Sequence, residues 1–448
     1  MAHPARFELT TSAFGGQRSI QLSYGCAPGR YRARVGYRSG KAYARKIGYS
    51  YPRQLSRKSG QPRAPPPISR NFSRKNLLMT NQTATLTASP KFYFPADGQR
   101  RSSSHVLDPL EQRFGRLFSR QRLGLEHDLE VRAAWAARSA FRSRRWYRTP
   151  VFVRRTLKLT GLYWWARRNA GRIEVRRHRV ALPKLPAAFD KFTILQISDL
   201  HVDINPAAMR RLGELLPQLH YDLCVLTGDY RGKTYGPWAE AIAGMAQIGA
   251  HLAKPVYAVL GNHDSLRMVP ALEEMGIRVL VNEAESLARH GQKLYLAGID
   301  DAHFYRMDNI EKAASPIPED AFSILLSHTP EIYRQAANAD FDLMLSGHTH
   351  GGQICLPGAI PITLDSKLPR RMGSGSWRYG RMIGYTSVGV GSSVVAARIN
   401  CPPEITLHEL SVSIGGIAQI ERVEEAGYRQ FGDEENYDAN GDIGDCQR

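Results

Sequence analysis

The sequence predicts an α/β fold, and three observations carry that expectation. Short runs rich in Ile, Val and Leu recur from Phe192 onward. They are mostly continuous rather than alternating, the pattern of strands covered on both faces. Amphipathic stretches separate the first few, and strand–helix alternation builds a sheet with helices packed on it. Each run ends in a cluster of His, Asp or Asn, where open α/β sheets bind their ligands.

In chain order, residues 1–78 come first. They hold 16 Lys and Arg against one acid, Glu8, with a Pro-rich patch at Gln61–Pro67 and no sustained apolar period. Too little apolar surface gathers there to offset chain entropy, so the expectation is a disordered basic extension. The stretch Arg6–Gly16 reads as translation begun too far upstream, which would make Met79 the true start. A nucleic-acid arm is the rival reading, since clustered Arg neutralises phosphates. No recognised nucleic-acid fold accompanies the charge, so no nucleic-acid partner is expected.

Residues 79–180 read as a basic helical extension. Leu117, Phe118 and Leu123 precede Trp135, Phe141, Trp146 and Tyr147, then Leu162, Tyr163, Trp164 and Trp165, with Arg142, Arg144, Arg145, Arg154, Arg155, Arg167 and Arg168 among them. Helices with Trp on one side and Arg on the other suit an anionic membrane surface, so peripheral membrane contact through residues 130–180 is one expectation. The other is that the aromatics pack on the rest of the chain and the arginines are solvated. Arg154-Arg155 precedes an apolar run, but Arg167 and Arg168 interrupt it and it sits mid-chain, unlike an export signal. No 18-residue apolar run is present, so no bilayer-spanning helix is predicted. The expected location is cytoplasmic, peripheral on the inner membrane if the aromatic segment binds it.

The predicted domain covers residues 181–412. Phe192–Ile197 leads to Asp199 and His201; Leu223–Leu226 leads to Asp229; Val256–Leu260 leads to Asn262, His263 and Asp264; Phe322–Leu326 leads to His328; Leu343–Leu345 leads to His348 and His350. Helices are expected over Pro206–Leu219, Pro237–Ala250 and Leu266–Met275, and further strands near Leu294–Ala297, Gly384–Val390 and Glu404–Leu410. After residue 412 an acidic, turn-rich tail to 448 is expected to be disordered. The whole chain carries a net charge of +20, but residues 191–448 hold 22 Lys and Arg against 32 acids, so the domain itself is acidic. Five Cys without paired short spacing exclude a disulfide scaffold and a Cys-based zinc module.

Five of the 14 His lie in the strand-end clusters. Mixed imidazole and oxygen donors suit Mn, Fe, Zn or Mg ions rather than soft thiolate sites. Ligand pairs at i and i+2, as in Asp199/His201 and His348/His350, let a turning backbone present both side chains to one small volume. Gly228, Gly261, Gly347, Gly351 and Gly352 permit tight turns around such ions.

Asp-Leu-His, Gly-Asp, Gly-Asn-His-Asp, a lone His after a strand and Gly-His-Thr-His, in this order, resemble the calcineurin-like metallophosphoesterases. The resemblance runs from about Leu182 to Leu410. Leu182–Pro186, Gly351-Gly352-Gln353 and Ala297–Asp301 are similar to a bacterial subgroup that includes phosphodiesterases and UDP-2,3-diacylglucosamine hydrolases. Its members often carry a membrane segment or export signal, where this chain has the Arg-broken aromatic segment.

The resemblance implies an α/β sandwich of two mixed sheets flanked by helices, with the metal site at the strand C-terminal ends. It implies two divalent ions (Mn, Fe, Zn or Mg) sharing Asp229, one completed by Asp199, His201 and His350, the other by Asn262, His328 and His348. A shared carboxylate offsets the repulsion of two close cations, and a water polarised by both becomes hydroxide near neutral pH and attacks phosphorus in line. His263 is the expected general acid or hydrogen-bond donor at the leaving oxygen, with Asp264 orienting it. Asp203, Asp300, Asp301 and His303 are read as outside the site, Cys224 and Cys355 as apolar packers, and Gln353 as either a substrate contact or a loop brace.

The expected function is therefore dinuclear-metal hydrolysis of a phosphodiester or pyrophosphate in a phosphate-ester substrate. The alternatives are a UDP-2,3-diacylglucosamine diphosphatase of lipid metabolism at the membrane surface, and a non-catalytic scaffold on the same fold. A scaffold would be expected to have lost ligands, and this sequence retains all seven.

Overall fold

A computed structural model describes residues 35–38, 41–44, 104–138, 150–413 and 416–423, with side-chain surroundings over 109–134, 151–413 and 416–423. The chain divides into two units, 1–95 and 96–448. In the first, the described feature is an antiparallel hairpin of β1 (Val35–Arg38) and β2 (Lys41–Ala44), inside the span expected to lack structure. Met79, Phe141, Trp146, Tyr147 and the acidic tail after 423 lie outside the described residues, as does the side chain of Trp135.

The second unit begins with α1 (Ser104–Phe114), α2 (Arg116–Arg138), α3 (Pro150–Leu159) and α4 (Tyr163–Asn169). Then follow β3 (Glu174–Leu182), β4 (Thr193–Ile197), α5 (Pro206–Leu215), β5 (Leu223–Leu226), α6 (Ala239–Gly249), β6 (Val256–Ala258), α7 (Val269–Glu274) and β7 (Ile277–Val279). The second half runs β8 (Glu283–Arg289), β9 (Gln292–Gly298), α8 (Ile310–Ala314), β10 (Ser323–Leu326), α9 (Tyr333–Asn338) and β11 (Leu343–Ser346). It closes with β12 (Cys355–Leu356), β13 (Ile360–Pro361), β14 (Gly375–Tyr379), β15 (Met382–Thr386), β16 (Glu404–Val412) and β17 (Gln419–Arg422).

Two mixed sheets form a sandwich, in the orders β17-β3-β16-β4-β5-β6-β7 and β14-β15-β11-β10-β9-β8. β4 to β7 pair in parallel, as do β9, β10, β11 and β15, so the loops that carry the motifs leave their strands on the same side within each sheet. Ile194, Val225, Leu296, Ile324, Leu345 and Tyr385 pack between the sheets. The outer face of the first sheet is covered by α5, α6 and α7, and that of the second by residues of α8 and α9. The continuous apolar runs are thus explained: β4, β5, β10 and β11 have both faces buried.

Two boundaries differ from expectation. β3 starts at Glu174 and pairs along nine residues with β16, so the sandwich begins before residue 181. β17 pairs with β3 from within the expected tail, because Ile420 packs on the inter-sheet core. The helical extension is also docked on the domain. Arg122 of α2 is fully buried, its Nε 2.8 Å from Asp300, with its guanidinium stacked 3.4 Å above the Tyr305 ring. Glu126, one turn on, accepts from Ser265 Oγ at 2.6 Å and Leu266 N at 2.8 Å. Arg122 and Glu126 are thus paired and buried, whereas Arg154, Arg155, Arg167 and Arg168 are exposed, as solvated arginines would be.

Candidate metal centre

All five predicted clusters meet at one rim, where the two sheets are laced together. Gln196 Nε2 donates to the Ser346 carbonyl at 2.9 Å, and His348 N donates to the Asp199 carboxylate at 3.0 Å. Five of the seven expected ligands, Asp199, His201, Asp229, His348 and His350, hold positive φ between 40° and 71°. Non-glycine residues visit that region at a cost, and such strain concentrates at functional sites. Close approach also dictates glycine here: a Cβ on Gly347 would collide with Ser198 and Asp199, and one on Gly261 with Asp229.

The donor atoms form two groups, Asp199, His201 and His350 in one, Asp229, His328 and His348 in the other, all buried. Within the first, His350 Nε2 lies 3.1 Å from His201 Nε2 and 3.4 Å from Asp199 Oδ1. Within the second, His328 Nε2 lies 3.2 Å from Asp229 Oδ2, 3.2 Å from His348 Nδ1 and 3.0 Å from Asn262 Oδ1. Asp229 Oδ2 is also 3.8 Å from His201 Nε2, which puts this carboxylate between the groups.

Backbone carbonyls decide which ring nitrogens face inward. Arg231 O accepts from His201 Nδ1 at 2.8 Å, Thr227 O from His328 Nδ1 at 2.8 Å, and Asp365 O from His348 Nε2 at 2.9 Å. Each carbonyl holds a hydrogen on the outward nitrogen, so in the neutral ring the inward nitrogen is the one that can ligate. Imidazole nitrogens 3.1–3.2 Å apart beside two carboxylates make a compact nitrogen and oxygen donor set of the kind divalent cations take. The residues present therefore fit a pair of divalent ions.

The electrostatics agree. Burial holds His201 down at about 4, burial and His328 hold His348 at about 3, and burial with His201 and Arg398 keeps His350 well below the ordinary imidazole range. Neutral imidazole is the ligating form. Burial lifts Asp199 to about 6, with Asp229 adding to the rise. Burial also disfavours charge on Asp229 and on His328, but the two outweigh it mutually: Asp229 is held well below the carboxylate range and His328 pushed up to about 10, a proton standing where the donors call for positive charge.

His263 stands at the solvent side, its side chain 19% exposed, Nε2 3.9 Å from Asp229 Oδ2 and Nδ1 3.3 Å from Thr234 Oγ1. Asp264 is placed differently from expectation. Its carboxylate accepts from the backbone N–H of Asp229 (2.7 Å), Tyr230 (2.9 Å) and Gly261 (2.9 Å), so it clamps the two ligand loops, and the His263 ring takes its contact from Thr234. Gln353 is the loop brace: Nε2 donates to the carbonyls of Ser393 and Val395, and Oε1 accepts from Ser393 N. Cys224 is buried in the apolar core, Asp203 accepts from Gly232 N, and Asp301 accepts from the amides of His303, Phe304 and Tyr305.

Two residues at the rim escaped sequence reasoning. His303 lies with its ring centroid 4.3 Å from that of His348, and a hydrogen bond to Glu331 raises its pKa. Arg231, two residues after Asp229, ties the loop together by donating to the carbonyls of His263, Thr234 (2.6 Å) and Gly236 (2.9 Å). Its position beside the Gly-Asp motif is the signal that was available; His303 had none.

A family model for calcineurin-like phosphoesterases matches residues 192–352. The chain is 31% identical over 236 residues to the uncharacterized metallophosphoesterase YkoQ of Bacillus subtilis, covering 50% of this chain and 86% of that protein. It is 29% identical over 256 residues to the phosphodiesterase YaeI of Escherichia coli, covering 54% and 89% respectively. A zebrafish (Danio rerio) protein described as a transmembrane protein with metallophosphoesterase domain is 28% identical over 246 residues, covering 51% of this chain and 55% of its own length. The chain belongs to the calcineurin-like metallophosphoesterases, metal-dependent hydrolases of phosphoric esters.

Proposed function

We propose that the protein hydrolyses a phosphodiester or pyrophosphate bond with two divalent ions, one on Asp199, His201 and His350, the other on Asn262, His328 and His348, with Asp229 shared. The observation that carries this reading is the position of Asp229 Oδ2, within 4 Å of ligand nitrogens from both groups. When bound, such ions acidify water toward a nucleophile at neutral pH and draw charge from the phosphoryl oxygens.

The remaining chemistry falls to the chain. The three carbonyl-held imidazoles keep their ligating nitrogens inward, so little reorganisation accompanies reaction. Asp264 keeps the Asp229 and Gly261 loops in register through three amides. His263 offers a hydrogen bond to the leaving oxygen: Nδ1 pairs with the Thr234 hydroxyl at 3.3 Å, which leaves Nε2 to face the leaving group.

The test is turnover of bis(p-nitrophenyl) phosphate, p-nitrophenyl phosphate and UDP-2,3-diacylglucosamine, each with Mn and with EDTA. The expected result is diester or pyrophosphate cleavage that EDTA abolishes and Mn restores; equal rates in chelator would overturn the reading. UDP-2,3-diacylglucosamine is kept as a second reading because Leu159 and Trp164 are 89% and 71% exposed amid arginines, features suited to a substrate with acyl chains at a membrane surface.

A further inference from the structure

We infer that the metal-site rim docks on an anionic lipid bilayer through three segments: the α3–α4 turn, the β12–β13 hairpin and the loop at Val394. They share one small core, in which Leu157, Tyr163 and Ala166 pack with Val395, Ala397 and Ile399, and Ile354 lies against them. Each segment also turns apolar side chains outward: Leu159, Trp164 and Trp165 from the helices, Leu356 and Ile360 from the hairpin, and Val394, all at least 46% exposed. Val394 is β-branched yet holds φ at 65°, a costly placement.

Two of these segments, α4 and the loop at Val394, also support the metal ligands. Ala166 O accepts from Arg398 N at 2.8 Å, and the Arg398 guanidinium reaches His350 Nδ1 at 3.3 Å. Gln353, three residues after His350, bonds the residues on either side of Val394. The exposed apolar side chains thus border the rim at which phosphate esters are cleaved.

Charge selects the partner. Residues 150–172 contain six Lys and Arg and no acid. Trp and Leu side chains beside such a cluster match the interface of an anionic membrane, where aromatic rings sit at headgroup depth and each cation adds attraction. The apolar side chains stand on separate turns rather than in one groove, which a fluid surface accommodates and a shaped protein partner does not. This inference rests on the hydrolase reading, and it adds that the substrate is a phosphoric ester presented at a bilayer.

The test uses the full chain loaded with Mn and sedimentation with phosphatidylglycerol–phosphatidylcholine vesicles, against pure phosphatidylcholine, in 0.1 M and 0.5 M salt. The variants are W164E/W165E and L356E/I360E, all at exposed positions. Expected are binding to the anionic vesicles that survives 0.5 M salt, quenching of Trp164 and Trp165 by brominated lipid, and at least tenfold weaker partition for each variant. Turnover of bis(p-nitrophenyl) phosphate should stay within twofold of the parent. Binding lost entirely at 0.5 M salt and unaffected by the variants would assign it to the basic arm and overturn the inference. So would absence of binding, or self-association abolished by the same substitutions. Loss of soluble diester turnover in the parent would instead overturn the hydrolase reading, which vesicle partition does not measure.

Discussion

Among the described residues, buried histidines fall into two groups, and one of them has the donor set of a metal centre. At the rim, His201, His328, His348 and His350 come from loops. In the interior, His178 of β3 and His408 of β16 face each other across a parallel strand pair, their rings 5.9 Å apart and both beside Tyr385. Burial lowers the pKa of His201, His348 and His350 at the rim and of both interior rings: with Arg176 it takes His178 to about 4, and with His178 it takes His408 to about 3. Burial and neutrality therefore do not distinguish a ligand from a packed ring. What distinguishes the rim is the pair of carboxylates, the left-handed backbone and the carbonyls that aim ring nitrogens at a common volume. The interior pair has none of these: His408 Nε2 pairs with Gln196 Oε1 at 3.0 Å, and its Nδ1 has no hydrogen-bond partner.

The largest effect expected from that contrast is at the shared carboxylate. Asp229→Asn removes the charge between the two groups and should leave at most one equivalent of metal by elemental analysis, with diester turnover down roughly a thousandfold or more. The matching interior change, His408→Gln, should leave metal content at two equivalents. Metal loss in His408→Gln would erase the distinction between the clusters.

Next in size is His263→Ala. The residue sits at the rim but outside both donor groups, so two equivalents of metal should remain while kcat falls about 10²- to 10⁴-fold, the usual worth of a positioned proton donor. Loss of metal would move His263 into the ligand set. A smaller effect is expected from Gly347→Ala. Its Cβ displaces Ser198 and Asp199, so turnover should drop roughly 10- to 100-fold through weakened binding at the Asp199 group, restored in part by excess Mn.

The rim was legible because its chemistry is local: each ligand directly follows an apolar run, and parallel strands deliver run ends to one side. All seven expected ligands lie at that rim. The roles of Asp264 and His303 were not legible, since adjacency in sequence does not give side-chain direction, and His303 reaches His348 only through tertiary packing. The same holds for the docked extension. Arg122 reads as one solvated charge among many in a basic helix, and only the fold supplies Asp300 and Tyr305 to bury it against. β17 was missed because four residues of mixed polarity carry no period; its place comes from pairing with β3.

The smallest effect tests the interior pair by its pH dependence. An unfolded histidine takes up a proton near 6.5, whereas the folded chain holds His178 and His408 unprotonated down to about 4 and about 3. Between those values the unfolded state binds more protons, so stability rises with pH through the window. The contribution is fully present above about 6.5 and is lost as pH falls toward 4. His178→Phe keeps a ring against Tyr385 and removes one of the two titrations. Arg176 and Arg422, the cations that act on His178, remain, as does the Glu421 backbone. Thermal unfolding of parent and variant at pH 7.5 and pH 5.0 isolates the term, because the rim histidines are common to both and cancel in the difference. The parent should lose more Tm than the variant between the two pH values. Equal losses would mean that His178 is solvated or charged in the folded chain, and the contrast between the two histidine groups would then be one of solvent access rather than of donor geometry.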